Sequence, residues 1–249
     1  MTLSSFIYAL LAGILPSLIW LWFWLREDSE RSEPRWLLTA SFFGGVVAVL
    51  IAIFVEKSIS DVVSDNNTKY ILWAATEEIL KFVAVTVIVL KSKYNDEPLK
   101  PMIYCIVVAL GFAALENALF LLEPVRLGAI AQSIVTGNMR FMGATLVHVV
   151  CSAVIGFSLG VTFYRGVISK FFAIAISIVA AITLHSIFNI SIVRADPNDI
   201  LKIFAWIWLA VVILIILFEE VKAVKPRSGD FSPSIKSNTR IKYTSKINI

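Results

Sequence analysis

Glu77 and Glu78 stand side by side in the segment LWAATEEILKFVAV, residues 72–85, and Lys81 follows within one helical turn. Three ionisable side chains in five positions interrupt an apolar run, and each costs roughly 2.5–3.5 kcal/mol at a bilayer centre. Further along, Glu116 and Asn117 sit in GFAALENALF, His148 in ATLVHVVCSAVIG, and His185 and Asn189 in AITLHSIFNI. The chain has only these 2 histidines, both in apolar surroundings. Such a set suits activation of water and stabilisation of an oxyanion. A carboxylate takes the proton from water, while imidazole and Asn donate to the developing negative oxygen. The same set could instead hold a metal through two His and one or two Glu, the metal then polarising water. No HExxH segment is present, so the metal alternative lacks its strongest local support.

The elements that must position these residues are membrane helices. The 249 residues are 58% hydrophobic and 16% charged, with a mean hydropathy of +0.83. A soluble domain would be about a quarter charged. The apolar residues come in blocks of about 20, which is bilayer-spanning length, and they do not alternate as strands of a β-barrel would. The fold class expected is an all-α polytopic transmembrane bundle of about seven spans, at 4–25, 36–55, 70–90, 101–122, 141–164, 168–193 and 198–219. Residues 127–138 form an interfacial or re-entrant piece, insert as an eighth span, or lengthen the fifth, which would place Arg140 inside a helix. Residues 1–220 form the integral membrane domain with a catalytic core at about 70–193, and 221–249 form a basic, disordered cytoplasmic tail. The first span lacks a basic n-region and a small-x-small cleavage site, so it reads as a retained helix. Trp20, Trp22, Trp24, Trp36, Trp206 and Trp208 lie mostly towards span ends or within apolar helices, and some fit an aromatic belt. Cys105 and Cys151 read as buried small hydrophobes without a disulfide. Nothing in the composition suggests nucleic-acid binding; the basic tail fits the surface of a lipid bilayer.

Lys and Arg distribute unevenly between alternate loops, with 15 on the side of the 26–35 and 91–100 loops and the tail, and 6 on the other. The asymmetry predicts the N-terminus outside and the C-terminus in the cytoplasm of a bacterial plasma membrane. At about 1.5 Å per residue, Glu77 and His148 then lie roughly 10 Å below the outer ends of their spans, Glu116 roughly 9 Å and His185 roughly 12 Å. The polar residues of four helices therefore share one layer. Small residues around them, among them Ala113, Ala114, Gly143, Ala144 and Gly156, let helices approach closely.

Plainer roles exist for each. Glu78 and Lys81 can neutralise one another within their helix. Asn117 and Asn189 can link helices by hydrogen bonds, and Ser152 reads as a packing residue rather than a nucleophile. A proton- or cation-coupled transporter would also use intramembrane Glu, His and Lys, although no internal repeat is evident. A non-catalytic scaffold or immunity protein would pair these groups off and leave no cavity.

The pattern resembles the PrsW family of intramembrane proteases, within the wider group of CAAX prenyl proteases and bacteriocin-processing (Abi) proteins. The motif EExxK is met by Glu77-Glu78-Ile79-Leu80-Lys81, and FxxxE followed by Asn by Phe112 to Asn117. A histidine in the next span is met by His148, and HxxxN by His185-Ser186-Ile187-Phe188-Asn189. The resemblance implies a CAAX-protease-like core with a catalytic cavity opening to one membrane face. By it Glu77 is the principal general base, helped by Glu78 or His148 in positioning water, with Glu116 completing the catalytic set. His185 and Asn189 form the oxyanion site, Lys81 holds the Glu pair, and Asn117 supports it. Glu116 stands where the CAAX branch has His, which favours the PrsW branch. The metal-free mechanism, needing no cofactor, is preferred; in the metal-dependent one, Glu77, His148 and His185 would hold zinc. The implied partner is a membrane-anchored protein substrate, such as an anti-sigma factor cleaved near the extracytoplasmic side.

Overall fold

The computed structural model describes residues 3–27, 34–196 and 198–226. Eight helices follow in order: α1 Leu3–Glu27, α2 Arg35–Val62, α3 Asn66–Val85, α4 Lys100–Arg126, α5 Ile130–Met139, α6 Thr145–Val161, α7 Val167–Arg194 and α8 Ile200–Lys222. A π-turn at Thr86–Leu90 extends α3, and another at Arg140–Ala144 joins α5 to α6. The all-α bundle expected from hydropathy is what forms. Residues 127–138 do not make an eighth span: 127–129 turn the chain after α4, and 130–138 lengthen the fifth span into a rod running Ile130–Val161.

Six of these rods are long and apolar enough to cross a membrane, which makes this an integral membrane protein. The helix of the predicted third span, α3, is not among the six, because Glu77, Glu78 and Lys81 break its apolar run. It packs instead among α2, α4 and α7. The polar helix is thus shielded by apolar ones, so its charges face protein rather than lipid.

α4 is the pillar of the bundle. Each residue from Pro101 to Ala114 is buried, as expected of a helix apolar all round. Pro101 lies in its first turn, where a missing N–H costs nothing. α2 crosses α4 at two glycines: a Cβ on Gly45 would strike the α4 backbone at Val108 and Phe112, and one on Gly111 the α2 backbone at Phe42. Only hydrogen at both positions permits that approach. The second buried helix is α6, while α1, α7 and α8 turn many large apolar side chains outward, as lipid contact requires.

At the other end of α2, the chain reverses within three residues. Asp65 caps α3 by accepting hydrogen bonds from the Thr68 N–H at 2.8 Å and the Thr68 hydroxyl at 2.7 Å. These bonds hold the Asp65 carboxyl below its ordinary value. Trp20 and Trp24 pack inside, against Phe141, Trp208 and Phe218, so they are core rather than aromatic belt. Cys105 and Cys151 are free and buried, as expected. Of the tail, residues 227–249 lie outside the described residues.

Candidate active site

Four helices bring the polar layer together. α3 contributes Glu77, Glu78 and Lys81; α4 contributes Glu116 and Asn117; α6 contributes His148; α7 contributes His185 and Asn189. His148 and His185 meet edge to face, ring centroids 5.0 Å apart. Glu77 Oε2 lies 3.7 Å from His148 Nδ1 and 3.8 Å from His185 Nε2.

The outer nitrogen of each imidazole is taken by a second carboxylate. His185 Nδ1 is 2.8 Å from Glu78 Oε1, and His148 Nε2 is 2.9 Å from Glu116 Oε2. A carboxylate only accepts, so each of these nitrogens carries the proton. The inner nitrogens, His148 Nδ1 and His185 Nε2, are left as acceptors near Glu77, with His148 Nδ1 accepting from Lys81. Carboxylates that orient imidazoles in this way are the usual outer support of histidine metal ligands.

Lys81 occupies the base of the cluster. Its Nζ lies 2.5 Å from Glu78 Oε1 and 3.1 Å from His148 Nδ1, and 5.1 Å from the centroid of the Phe112 ring. The intrahelical Glu78–Lys81 pair therefore forms, and it also crosses to α6. An ion drawing on His148 Nδ1 would require Lys81 to give up that one hydrogen bond while keeping Glu78.

Around Glu116 the network runs through a residue that the loop count had placed outside the membrane. Arg140, at the start of the π-turn, pairs with Glu116 and donates through Nε to Asn117 Oδ1 at 2.6 Å. Its guanidinium stacks 3.9 Å from the Phe120 ring centroid. Asn117 Nδ2 in turn donates to Thr145 Oγ1 at 2.9 Å, so it does link helices. A π-turn changes the facing of the following residues by part of a turn and commonly marks functional positions. Here it coincides with the arginine that enters the site.

A cavity of about 620 Å³ opens onto these groups. Glu77, Glu116, Arg140, His148, His185 and Asn189 line it, whereas Glu78 and Lys81 are sealed behind. Asn189 is half-buried, one turn from His185, and its amide has no protein partner among the described residues. Ser152 Oγ is buried and likewise unpartnered, away from the cavity lining. Sequence reasoning missed Glu56, on α2, which also lines the cavity. It fell just beyond the expected end of the second span at residue 55, so it read as a loop residue.

The donor set fits a metal ion. Glu77 Oε2 is buried without a hydrogen-bond partner among the described residues. Its separations from the two imidazole nitrogens are too long for hydrogen bonds. One ligand atom each from Glu77, His148 and His185 lie within 4.8 Å of one another. Two imidazoles and a carboxylate suit zinc. A second triple, Glu78, Cys151 and His185, is equally close, but Glu78 and His185 Nδ1 already bond each other there.

Comparison with known proteins agrees with this chemistry. Residues 33–218 match the profile described as "PrsW family intramembrane metalloprotease". The chain is 28% identical to "Protease PrsW" of Geobacillus kaustophilus (strain HTA426) over 152 residues, 60% of this chain and 64% of that relative. It is 26% identical to "Protease PrsW" of Bacillus subtilis (strain 168) over 222 residues, 87% of this chain and 94% of the relative. With "Protease PrsW" of Clostridioides difficile (strain 630) it shares 25% identity over 191 residues, 72% and 76% of the two chains. No solved structure matches.

Proposed function

Since this chain belongs to the PrsW family of intramembrane metalloproteases, we propose that it hydrolyses a peptide bond of a membrane-anchored protein at the Glu77–His148–His185 cluster. The observation that carries the reading is the buried, unpartnered Glu77 Oε2 between two imidazole nitrogens, on a residue that lines a cavity within a membrane bundle. A non-catalytic scaffold would pair these groups off and leave no cavity, whereas Glu77 lines one and its Oε2 has no hydrogen-bond partner among the described residues.

Glu77, His148 and His185 are the residues that would hold the ion, with zinc the best fit to their donors. The earlier preference for a metal-free mechanism gives way here, because both imidazoles are already oriented as ligands by Glu78 and Glu116. The chemistry such an ion supplies is polarisation of water and of the scissile carbonyl at neutral pH. The chain's own residues do the rest. The carboxylate of Glu77, which lines the cavity, takes the proton through Oε1 as the water oxygen bonds to the carbonyl carbon. The Asn189 amide donates to the resulting oxyanion. Glu77 then returns the proton to the leaving nitrogen as the C–N bond breaks. Glu78 and Glu116 hold the imidazole tautomers, Lys81 and Arg140 hold those carboxylates, and Asn117 steadies Arg140.

The catalytic core is assigned to residues 70–193. The cavity lies towards the ends where α2 meets α3 and α7 meets α8. With Arg140 withdrawn from the loops, the charge asymmetry becomes 15 against 5, which supports that end as extracytoplasmic and the tail as cytoplasmic. An anti-sigma factor is the substrate that the family resemblance implies. Co-expression with a membrane-anchored substrate tests the reading. Glu77→Gln and His185→Ala abolish cleavage while membrane abundance stays intact; full activity in either variant would refute it.

A further inference from the structure

The side-chain carboxylate of Glu56, which lines the cavity, makes no hydrogen bond or ion pair with any described residue. Glu116 is held by Arg140 and His148, and Glu77 lies between the two imidazoles in the position of a metal ligand. An intramembrane carboxylate is expensive to keep without a partner, so its partner is expected to arrive from outside the chain.

Two aromatic rings stand beside it. Trp73 Nε1 donates to the Glu56 carbonyl oxygen at 3.3 Å, which fixes the indole against α2. Tyr70 packs edge to face on Trp73, with ring centroids 5.7 Å apart. Both are half-buried and line the same cavity as Glu56. A carboxylate that shares a cavity with aromatic rings suits a cation on an aliphatic stem: the charge meets the carboxylate, and the methylenes pack on the rings.

The position of this cluster relative to the reacting centre follows from α3. Tyr70, Trp73 and Glu77 are spaced i, i+3 and i+7, so they form one stripe on one helix face. Trp73 lies about 6 Å from Glu77 along the helix axis. That distance corresponds to about two residues of extended peptide.

We propose that Glu56, Tyr70 and Trp73 form a subsite for a Lys or Arg side chain of the substrate, about two residues from the bond cleaved at Glu77. The proposal rests on the hydrolase reading above and adds the substrate's chemical class at one position.

The test uses the purified full chain in liposomes and fluorogenic peptides identical except for Lys, Met or Glu at each position around the cleaved bond. The expected preference for Lys over Met in kcat/KM is about tenfold at one position, between the value of an exposed and a desolvated charge pair. Glu56→Gln removes that preference, Glu56→Lys turns it towards Glu, and Lys57→Gln, at an exposed neighbour, keeps it. An unchanged Lys/Met ratio in Glu56→Gln, or an equal loss on both peptides, would overturn the subsite.

A second arm does not depend on turnover. In the Glu77→Gln variant, carbodiimide treatment with the Lys peptide should join the peptide amine to Glu56, as read by mass spectrometry. A crosslink only elsewhere, or none, would also overturn the subsite. If the parent protein cleaves no peptide, the hydrolase reading falls, and the crosslink still decides whether Glu56 receives the cation.

Discussion

The two imidazoles are supported by arms of unlike construction. The His185 arm is short and sealed: Glu78 and Lys81 come from one turn of α3, with 0% and 1% exposure. The His148 arm is longer and faces the cavity: Glu116 and Arg140 keep 20% and 14% of their side chains exposed, and Asn117 and Thr145 extend it across helices. Burial decides what each arm is for. A charge pair cut off from water cannot lose one member without stranding the other. One that borders a wet cavity can be resolvated and readjusted. The α3 arm is therefore built as a fixed anchor, and the α4–π-turn arm as an adjustable support.

Breaking the sealed arm should have the greatest effect. Glu78→Gln leaves Lys81 buried without its counter-charge, at a cost of about 3–5 kcal/mol, so membrane abundance falls together with cleavage. Adding Lys81→Met to that variant restores abundance, because the stranded charge is gone, but not cleavage. Immunoblotting of membranes alongside a cleavage assay separates the two outcomes. If the single variant kept full abundance, the anchor role would be wrong.

The cavity-facing arm should fail differently. Arg140→Gln leaves Glu116 reachable by water, so abundance holds while activity drops about 10- to 100-fold, the usual loss when the outer support of a metal ligand is removed. Arg140→Lys recovers part of it by restoring the charge without the fork. An abundance loss as deep as that of Glu78→Gln would erase the distinction between the arms. Further out on the same arm, Thr145→Val removes one acceptor of Asn117 and should cost about 1 kcal/mol of stability, seen as a small drop in thermal midpoint in detergent.

The smallest effect concerns the turn that sets the start of α3. Hydrogen bonds from Thr68 lower the Asp65 carboxyl in the folded protein. Its contribution is thus present above the ordinary aspartate value and lost as pH falls through the lowered one. Hydrogen exchange at the first turn of α3 should quicken over that acid range, and Asp65→Ala should abolish the pH dependence while leaving both arms unaltered.

How far the sequence revealed this site depends on what each residue's charge does to hydropathy. Glu77, Glu78, Lys81, Glu116, His148 and His185 sit well inside apolar runs, so they stood out, and helical spacing put them in one layer. Arg140 and Glu56 were obscured because each lies where an apolar run fades. A span boundary drawn at the first charge excludes such residues by construction. The neutralising partner of Arg140 comes from another helix, at Glu116, 24 residues away, which no local window registers. Spacing also did not reveal that Lys81 reaches His148 across helices, since that contact depends on how closely α3 and α6 approach.

The central claim is that Glu77, His148 and His185 together form a metal-dependent hydrolytic centre. The most direct test is the zinc-to-protein ratio of the purified full chain in a state that cleaves substrate. The account predicts one ion per chain in the parent and near-complete loss in both His148→Ala and His185→Ala. A cleavage-competent parent carrying no metal would contradict it.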